Sequence, residues 1–332
     1  MAQKDTNPYK YSDSNKRYMT YDWYMKRRFG GKVAKVTLDI GCTCPNIDGT
    51  RGHGGCIYCK RGSRSAVGED LAEQYRNGVA VASRKWKPVG FIPYLQSNTN
   101  TYGDVDRLAR AYSDAADLEG AVMLDIATRA DCLSDEIISE LVSLARRIPL
   151  TVELGLQTTC DSTAELINRC HTYDEFCRGY TRLKAAADMV NGEFPGDSEW
   201  DLPMKRLLIC VHIINGLPGE TADHMLTTAR DVARLRPDMI KIHLMHVLDG
   251  TPLGDMCLRG EYTPMEREDY VNITCDQLEL LPPETIIARV TGDGVASELL
   301  APMWSTRKTE VANEIDKELY RRNACQGAKW FE

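Results

Sequence analysis

Six short runs of branched apolar residues, each separated from the next by a stretch of helical periodicity, constrain this chain more than any other feature. The runs are Val33–Ile40, Val89–Leu95, Val122–Ile126, Leu150–Leu156, Leu207–Ile214 and Met239–Leu244, and each reads as a strand. Helical spacing fills the gaps over Glu69–Lys85, Asp104–Ala116, Ser134–Arg147, Thr221–Arg236 and two shorter patterns near Ser162–Arg169 and Tyr173–Val190. Asp104 and Ser134 stand where N-caps belong, and Pro88 follows the first of these helices. Strands that alternate with helices pair in parallel through right-handed crossovers, so a doubly wound sheet or a barrel-like closure is predicted. In both, working residues lie just past the C-terminal ends of strands. After Gly250 the pattern weakens, with helices predicted near Pro264–Leu281 and Glu310–Arg322, and residues 191–203 read as an exposed Gly/Pro-rich insertion.

A length of 332 residues suits one large domain with a modest appendage. No apolar run approaches the roughly 18 residues a membrane span needs. The segment Met1–Trp23 is polar and Tyr-rich, without a secretory apolar core, so a cytoplasmic location is expected. Net charge is −7, but residues 1–90 hold 17 Lys/Arg against 8 Asp/Glu while the remainder holds 24 against 40. This basic third suits a polyanionic partner or a solvated surface equally well.

Of the 12 cysteines, Cys132, Cys160, Cys210, Cys257, Cys275 and Cys325 are scattered singly, as small buried hydrophobes are. Cys170 and Cys177 form a lone near-pair without the multi-cysteine runs of a second cluster. Cys42, Cys44, Cys56 and Cys59 sit together in a Gly-rich loop, 41–64, directly after the first strand. Four thiolates could close a tetrahedral zinc site. Alternatively, three could ligate three irons of a cubane and leave the fourth iron open. A thioredoxin-like pair at Cys56 and Cys59 fits less well, because that pair opens a helix and Cys56 lies deep in a loop. Spacing leaves zinc and cluster level. Placement after the first strand of a βα series favours a reactive centre.

The later strand ends bring a resemblance into view. Cys44-x11-Cys56-x2-Cys59 resembles the stretched cluster loop of the elongator-like branch of the radical S-adenosylmethionine (SAM) superfamily, whose usual spacing is tighter. Thr128-Arg129-Ala-Asp131, Glu153-Leu-Gly155-Leu-Gln157-Thr158 and His212-Ile-Ile214-Asn-Gly216-Leu-Pro218-Gly219-Glu220 resemble its third-, fourth- and fifth-strand motifs. Lys241-Ile-His243-Leu-Met-His246, Gly250-Thr251-Pro252, Thr291-Gly-Asp293 and Leu300-Ala-Pro302-Met-Trp304 are similar to the YhcC/YtqA-type proteins of that branch, over residues 29–322.

The resemblance implies an α/β fold, a partial (β/α)6 radical SAM barrel with a helical/mixed C-terminal extension. Residues 1–28 would form an N-terminal extension, 29–250 the core barrel with its cluster loop 41–64, and 251–332 the C-terminal extension. It also implies two cofactors, a [4Fe-4S] cluster and SAM, in an oxygen-sensitive enzyme. SAM would chelate the open iron, and its reductive cleavage would give a 5′-deoxyadenosyl radical that abstracts hydrogen from substrate. Cys44, Cys56 and Cys59 are the implied ligands, with Cys42 dispensable.

Tyr58 matches an aromatic near the SAM adenine, and Ile214 an apolar adenine contact. The usual Gly-Gly-Glu-like turn is replaced by Gln96-Ser97-Asn98-Thr99, so Gln96, Asn98 and Thr99 become candidate acceptors for the SAM amino group. Arg129 offers a fork for the SAM carboxylate, with Asp131 as a possible helix cap. Glu153 and Gln157 share one strand face and suit the ribose or methionyl moiety. His243 and His246 are candidate substrate contacts. The branch implies tRNA wobble uridine as substrate and a flavodoxin- or ferredoxin-type electron donor. A small metabolite or tetrapyrrole-like substrate is the alternative, and a zinc-bound scaffold the remaining one. With no acetyltransferase segment following the barrel, full elongator chemistry is not expected.

Overall fold

The structure, a computed structural model, describes residues 7–60, 70–195, 202, 204–292 and 296–331. The basic residues Arg61 and Arg64, most of the tip of the 191–203 insertion, and Asp293 of the late motif lie outside the described residues.

The elements run α1 (Tyr21–Phe29), β1 (Val33–Leu38), α2 (Leu71–Lys85), β2 (Gly90–Leu95), α3 (Val105–Ala116), β3 (Leu124–Thr128) and α4 (Asp135–Arg147). They continue with β4 (Leu150–Gln157), α5 (Asp161–Leu166), α6 (Tyr173–Glu193), β5 (Leu207–Asn215), α7 (Ala222–Leu235), β6 (Met239–Leu244) and β7 (Val247–Leu248). The C-terminal part adds α8 (Pro252–Leu258), α9 (Arg267–Leu280), β8 (Ile286–Arg289), β9 (Leu299–Ala301) and α10 (Lys308–Arg321).

All six predicted strands are present, in the order β1-β2-β3-β4-β5-β6, and β8 joins as a seventh beside β6. Every pair in this sheet is parallel. The strand β8 escaped the sequence because four residues, IIAR, carry too little alternation to stand out. It comes from the segment expected to be only an extension. β3 starts two residues later than its apolar run, after an isolated parallel bridge between Phe91 and Ala121 in which Val122 N donates to Phe91 O at 3.0 Å. Asp104 and Ser134 cap α3 and α4, accepting from Arg107 N at 2.9 Å and Ile137 N at 3.2 Å.

Alternation divides the sheet into two faces. Val36, Leu38, Ile126, Val152, Leu154, Val211 and Ile242 point outward into the main core under the helices. The other face carries the charged residues, and their contacts report its curvature. In a flat sheet β1 and β4 would stand about 14 Å apart, yet Lys35 Nζ donates to Glu153 Oε1 at 2.9 Å. Lys241 Nζ on β6 likewise reaches Tyr94 Oη on β2 at 3.3 Å. The sheet is therefore curled into an open half-barrel with β1 and β8 at its edges.

The N-terminal segment closes the lower end of this half-barrel. Met19 O accepts from Ile287 N at 2.8 Å, so the chain lies along β8. Tyr9, Met19, Trp23, Tyr24 and Met25 fill the interior against Ile92, Met123, Leu208, Met239 and Ile286. The helix α1 was not predicted, because its YDWYMKRRF sequence lacks apolar periodicity. It forms because Thr20 Oγ1 caps it through Trp23 N at 3.2 Å and Gly30 ends it in the left-handed region. Water is thus excluded from the base, and the open mouth is at the C-terminal strand ends.

Candidate active site

At that mouth a cavity of about 400 Å³ is lined by Cys44, Cys56 and Cys59 on one side and by strand residues on the other. The cysteine loop is held by amides from across the site. Asn46 Nδ2 donates to Asn168 O at 2.7 Å and Arg169 O at 2.9 Å, and lies 3.6 Å from Cys56 Sγ. Asn168 Nδ2 returns bonds to His53 O at 3.0 Å and Gly55 O at 2.8 Å. Gly54 and Gly55 precede Cys56 with φ of 87° and 79°, a consecutive left-handed pair that side chains resist. A hydrogen bond from the Cys59 thiol lowers Cys56 to about 7 against the effect of burial, with Arg129 assisting.

Cys42 is elsewhere. It is buried in the outer core with Sγ 3.4 Å from Arg107 Nη2, and it does not line the cavity. No three of the four sulfurs lie within 4.8 Å of one another. Tetrahedral zinc, with Zn–S of about 2.3 Å, would draw its sulfurs to roughly 3.8 Å. The four-thiolate arrangement therefore does not fit zinc. Cys44, Cys56 and Cys59 instead face one shared cavity from a single loop, the donor set that a cubane with three cysteine ligands requires.

The segment after β2 zips onto the cysteine loop. Asn98 Nδ2 donates to Cys42 O at 2.8 Å, and Thr99 N to Thr43 O at 3.2 Å. Gln96 Oε1 accepts from Thr37 Oγ1 at 3.4 Å. Gln96, Asn98 and Thr99 all line the cavity, and so does Ser97. The Ser97 hydroxyl is buried with no partner among the described residues, and the sequence reading passed it over among its amide neighbours.

Arg129 corrects an expectation. Its fork does not stand open for a ligand carboxylate but closes on Asp131, Nε to Oδ1 at 2.9 Å and Nη2 to Oδ2 at 2.8 Å. Nη1 donates to Arg169 O at 2.9 Å. The two residues meet because a 3-10 turn, Ala130–Cys132, follows β3 at once. Asp131 caps no helix; Ser134 does that. Gly179 of α6 fits directly against this turn, where a Cβ would come within 2.0 Å of Ala130 O.

Arg169 and His171 also line the cavity and were not predicted to matter. Arg169 is 1% exposed and its guanidinium donates to the carbonyls of Leu156, Thr158 and His171. Burial and Arg169 lower His171 to about 3, so its ring is neutral. Tyr58 lines the cavity and packs in an apolar cluster with Ile214, Leu217 and Met245. Ile214 itself does not reach the cavity wall. Gln157 does, at a bulge where its φ is 67°.

Glu153, expected as a ligand contact, has both oxygens occupied by the protein. Oε1 accepts from Lys35, and Oε2 accepts from Lys241, from Tyr94 Oη at 2.5 Å and from His212 Nε2 at 3.0 Å. Burial alone would push its carboxyl up, but Lys241, Lys35 and His212 hold it well below the ordinary value. Asp125 pairs with Lys35 beneath it. Tyr94, Glu153, His212 and Lys241 form the floor of the cavity together with His243 and Arg289, and Lys35 and Asp125 support it from behind. Their signal was in the sequence: Lys35, Tyr94, Asp125, Glu153, His212, Lys241 and His243 stand at strand positions that alternate with outward apolar residues such as Val36, Leu95, Ile126, Leu154, Val211 and Ile242. His246 does not line the cavity; its ring packs against Gly292.

The basic N-terminal third is divided by the fold. Lys26, Arg27, Arg28, Lys32, Lys85 and Lys87 lie before β1 and β2, at the end opposite the mouth, where Lys32 stacks over Trp86 at 4.9 Å. Beside the cysteines, Arg51 pairs with Asp131 and Glu175, and Lys60 with Glu298. No helix among the described residues is long and apolar enough to cross a membrane.

Comparison with known proteins agrees with this architecture. The radical SAM superfamily profile matches residues 47–232, and the radical SAM C-terminal domain profile residues 237–321. The uncharacterized protein YtqA of Bacillus subtilis (strain 168) is 41% identical over 98% of this chain and 96% of its own length. YhcC of Escherichia coli (strain K12) is 31% identical over 92% of each chain. The tRNA uridine(34) acetyltransferase of Methanocaldococcus jannaschii is 26% identical over 73% of this chain, which spans only 49% of that protein. The solved archaeal Elp3 of Methanocaldococcus infernus shares the fold, with a TM-score of 0.62 at 18% identity over 89% of this chain and 64% of that one. With three cysteines around one cavity at the mouth of a parallel half-barrel, the chain belongs to the radical SAM superfamily, enzymes that use a [4Fe-4S] cluster and SAM.

Proposed function

We propose that this radical SAM enzyme modifies the side chain of a tRNA wobble uridine, with Cys44, Cys56 and Cys59 as the cluster ligands. The observation that carries the substrate is the similarity of the barrel to tRNA uridine(34) acetyltransferases. When bound, the cluster and SAM supply a 5′-deoxyadenosyl radical that takes a hydrogen atom from the substrate.

The chain's own residues do the positioning. Asn46 and Asn168 set the cysteine loop, and the amides and hydroxyls of Gln96, Ser97, Asn98 and Thr99 face the cavity as hydrogen-bonding partners for SAM. Tyr58 offers a ring face to the adenine, and Gln157 an amide. Arg129, locked onto Asp131, acts as a fixed positive charge beside the cysteine side of the cavity, which favours a reduced cluster. The plugged base keeps water from the radical. An electron donor of flavodoxin or ferredoxin type has to approach the cysteine side. The basic patch around Trp86 lies about 20 Å from the mouth, one six-residue strand away, within reach of the phosphates of a long polyanion.

Mass spectrometry of tRNA nucleosides from a strain lacking the gene tests the assignment. One wobble-uridine derivative should disappear and its precursor accumulate. The purified protein should bind bulk tRNA with an affinity that falls steeply with salt, as phosphate contacts require. An unchanged nucleoside profile together with no tRNA binding at low salt would exclude the substrate.

A further inference from the structure

The floor of the cavity carries polar groups from β5 and β6. Strands β5 and β6 pair so that His212 lies beside Lys241, and Ile214 beside His243. His212, Lys241 and His243 all line the cavity.

Their hydrogen-bonding capacity can be assigned atom by atom. His212 Nε2 is 3.0 Å from Glu153 Oε2. An ionised carboxylate only accepts, so Nε2 carries the hydrogen and a neutral ring presents Nδ1 as an acceptor. Burial and the Lys241 ammonium lower His212 to about 4, which keeps the ring neutral near pH 7. The His243 ring lies 5.3 Å from that of His212, and its Nε2 is buried without a partner among the described residues. Burial, His212 and Arg289 hold His243 well below its ordinary value, so it is neutral as well. Lys241 Nζ gives hydrogen bonds to Glu153 and Tyr94, which leaves one of its three N–H groups for the cavity. The charges beneath are already matched, since Lys35 and Lys241 face Asp125 and Glu153. The row across the floor can therefore read donor, acceptor, donor.

We propose that Lys241, His212 and His243 form the subsite that reads the pyrimidine edge of the substrate base, matching the acceptor–donor–acceptor pattern of uracil O4, N3–H and O2. The inference rests on the uridine assignment and deepens it. Cytosine offers a donor, an acceptor and an acceptor, so its N4 amino group meets the Lys241 ammonium and its N3 lone pair meets His212 Nδ1. Methylation at N3 of uracil removes the central hydrogen. Both changes leave buried polar groups unpaired, the most discriminating kind of mismatch.

The test uses the reconstituted holoenzyme and three anticodon stem-loop RNAs that differ only at position 34, carrying uridine, cytidine or 3-methyluridine. Binding and the stimulation of 5′-deoxyadenosine formation are measured for the wild type and for H212F, H243F and H243Q, with SAM affinity as an independent readout. The uridine loop should bind at least ~10-fold more tightly than the other two. H212F and H243F should lose this preference, while H243Q, which restores a donor, should recover part of it. Equal binding of all three loops by the wild type would overturn the subsite and leave the tRNA assignment standing. So would a preference that survives in H243F, or a tenfold loss of SAM affinity in both phenylalanine variants, which would assign the floor to the cofactor. Failure of the wild type to bind any loop would instead overturn the tRNA assignment, and the subsite with it.

Discussion

Replacing Cys44, Cys56 or Cys59 singly by alanine should leave protein that no longer holds a stable cluster, whereas Cys42→Ala should retain about four irons per chain. The difference follows from position. Three of the sulfurs line one cavity, while Cys42 is buried in the outer core beside Arg107. Anaerobic reconstitution followed by iron and sulfide determination, with absorbance near 400 nm, reads the result. Each of the three variants should lose the brown chromophore without a comparable fall in thermal stability, because the loop is also tied down by Asn46 and Asn168. Retention of a full cluster in any of the three, or its loss in Cys42→Ala, would reassign the ligands.

The second large effect concerns the floor. Glu153→Leu should destabilise the fold by about 3–5 kcal/mol, because it removes the partner of a buried lysine pair. Lys241 is 5% exposed and Lys35 sits between Glu153 and Asp125. The double variant Glu153→Leu/Lys241→Met should recover part of that loss, since Lys35 keeps Asp125 and no unmatched cation remains. Urea denaturation of the three proteins gives the comparison, and a single-variant loss below ~1 kcal/mol would show that the network is not closed as described. The sign of the pH dependence is set by the same contacts. Glu153 lies well below its ordinary value in the folded protein, so its contribution is complete above an unfolded value of about 4.3 and is lost as pH falls through the folded one.

Much of this fold was legible because parallel βα units write themselves in sequence as apolar runs bounded by caps and prolines. The six runs from Val33 to Leu244 all became strands of one sheet. The misses have physical reasons. β8 is four residues long, and α1 is stabilised by packing its aromatic residues into the barrel base rather than by periodicity. The cysteine loop was legible from spacing and placement. The neighbours of its cavity were less so, because Arg169 and His171 approach it only through tertiary structure, and Ser97 stood unremarked between Gln96 and Asn98. Arg129 shows the limit most clearly. A fork geometry suited to a carboxylate is visible in the residue type, but only the turn after β3 reveals that Asp131 is the carboxylate it holds. The same holds for Lys35, Glu153 and Lys241, whose inward positions were readable while their mutual contact depends on the curl of the sheet.

The central claim is that these three cysteines serve SAM cleavage at a [4Fe-4S] cluster. It is tested most directly by incubating the anaerobically reconstituted protein with SAM and dithionite and quantifying 5′-deoxyadenosine by chromatography. The wild type and Cys42→Ala should form it together with methionine, and the Cys44, Cys56 and Cys59 variants should form none above background. Intact SAM after reduction of a fully loaded wild-type cluster, or purified protein that carries zinc in place of iron, would contradict the account.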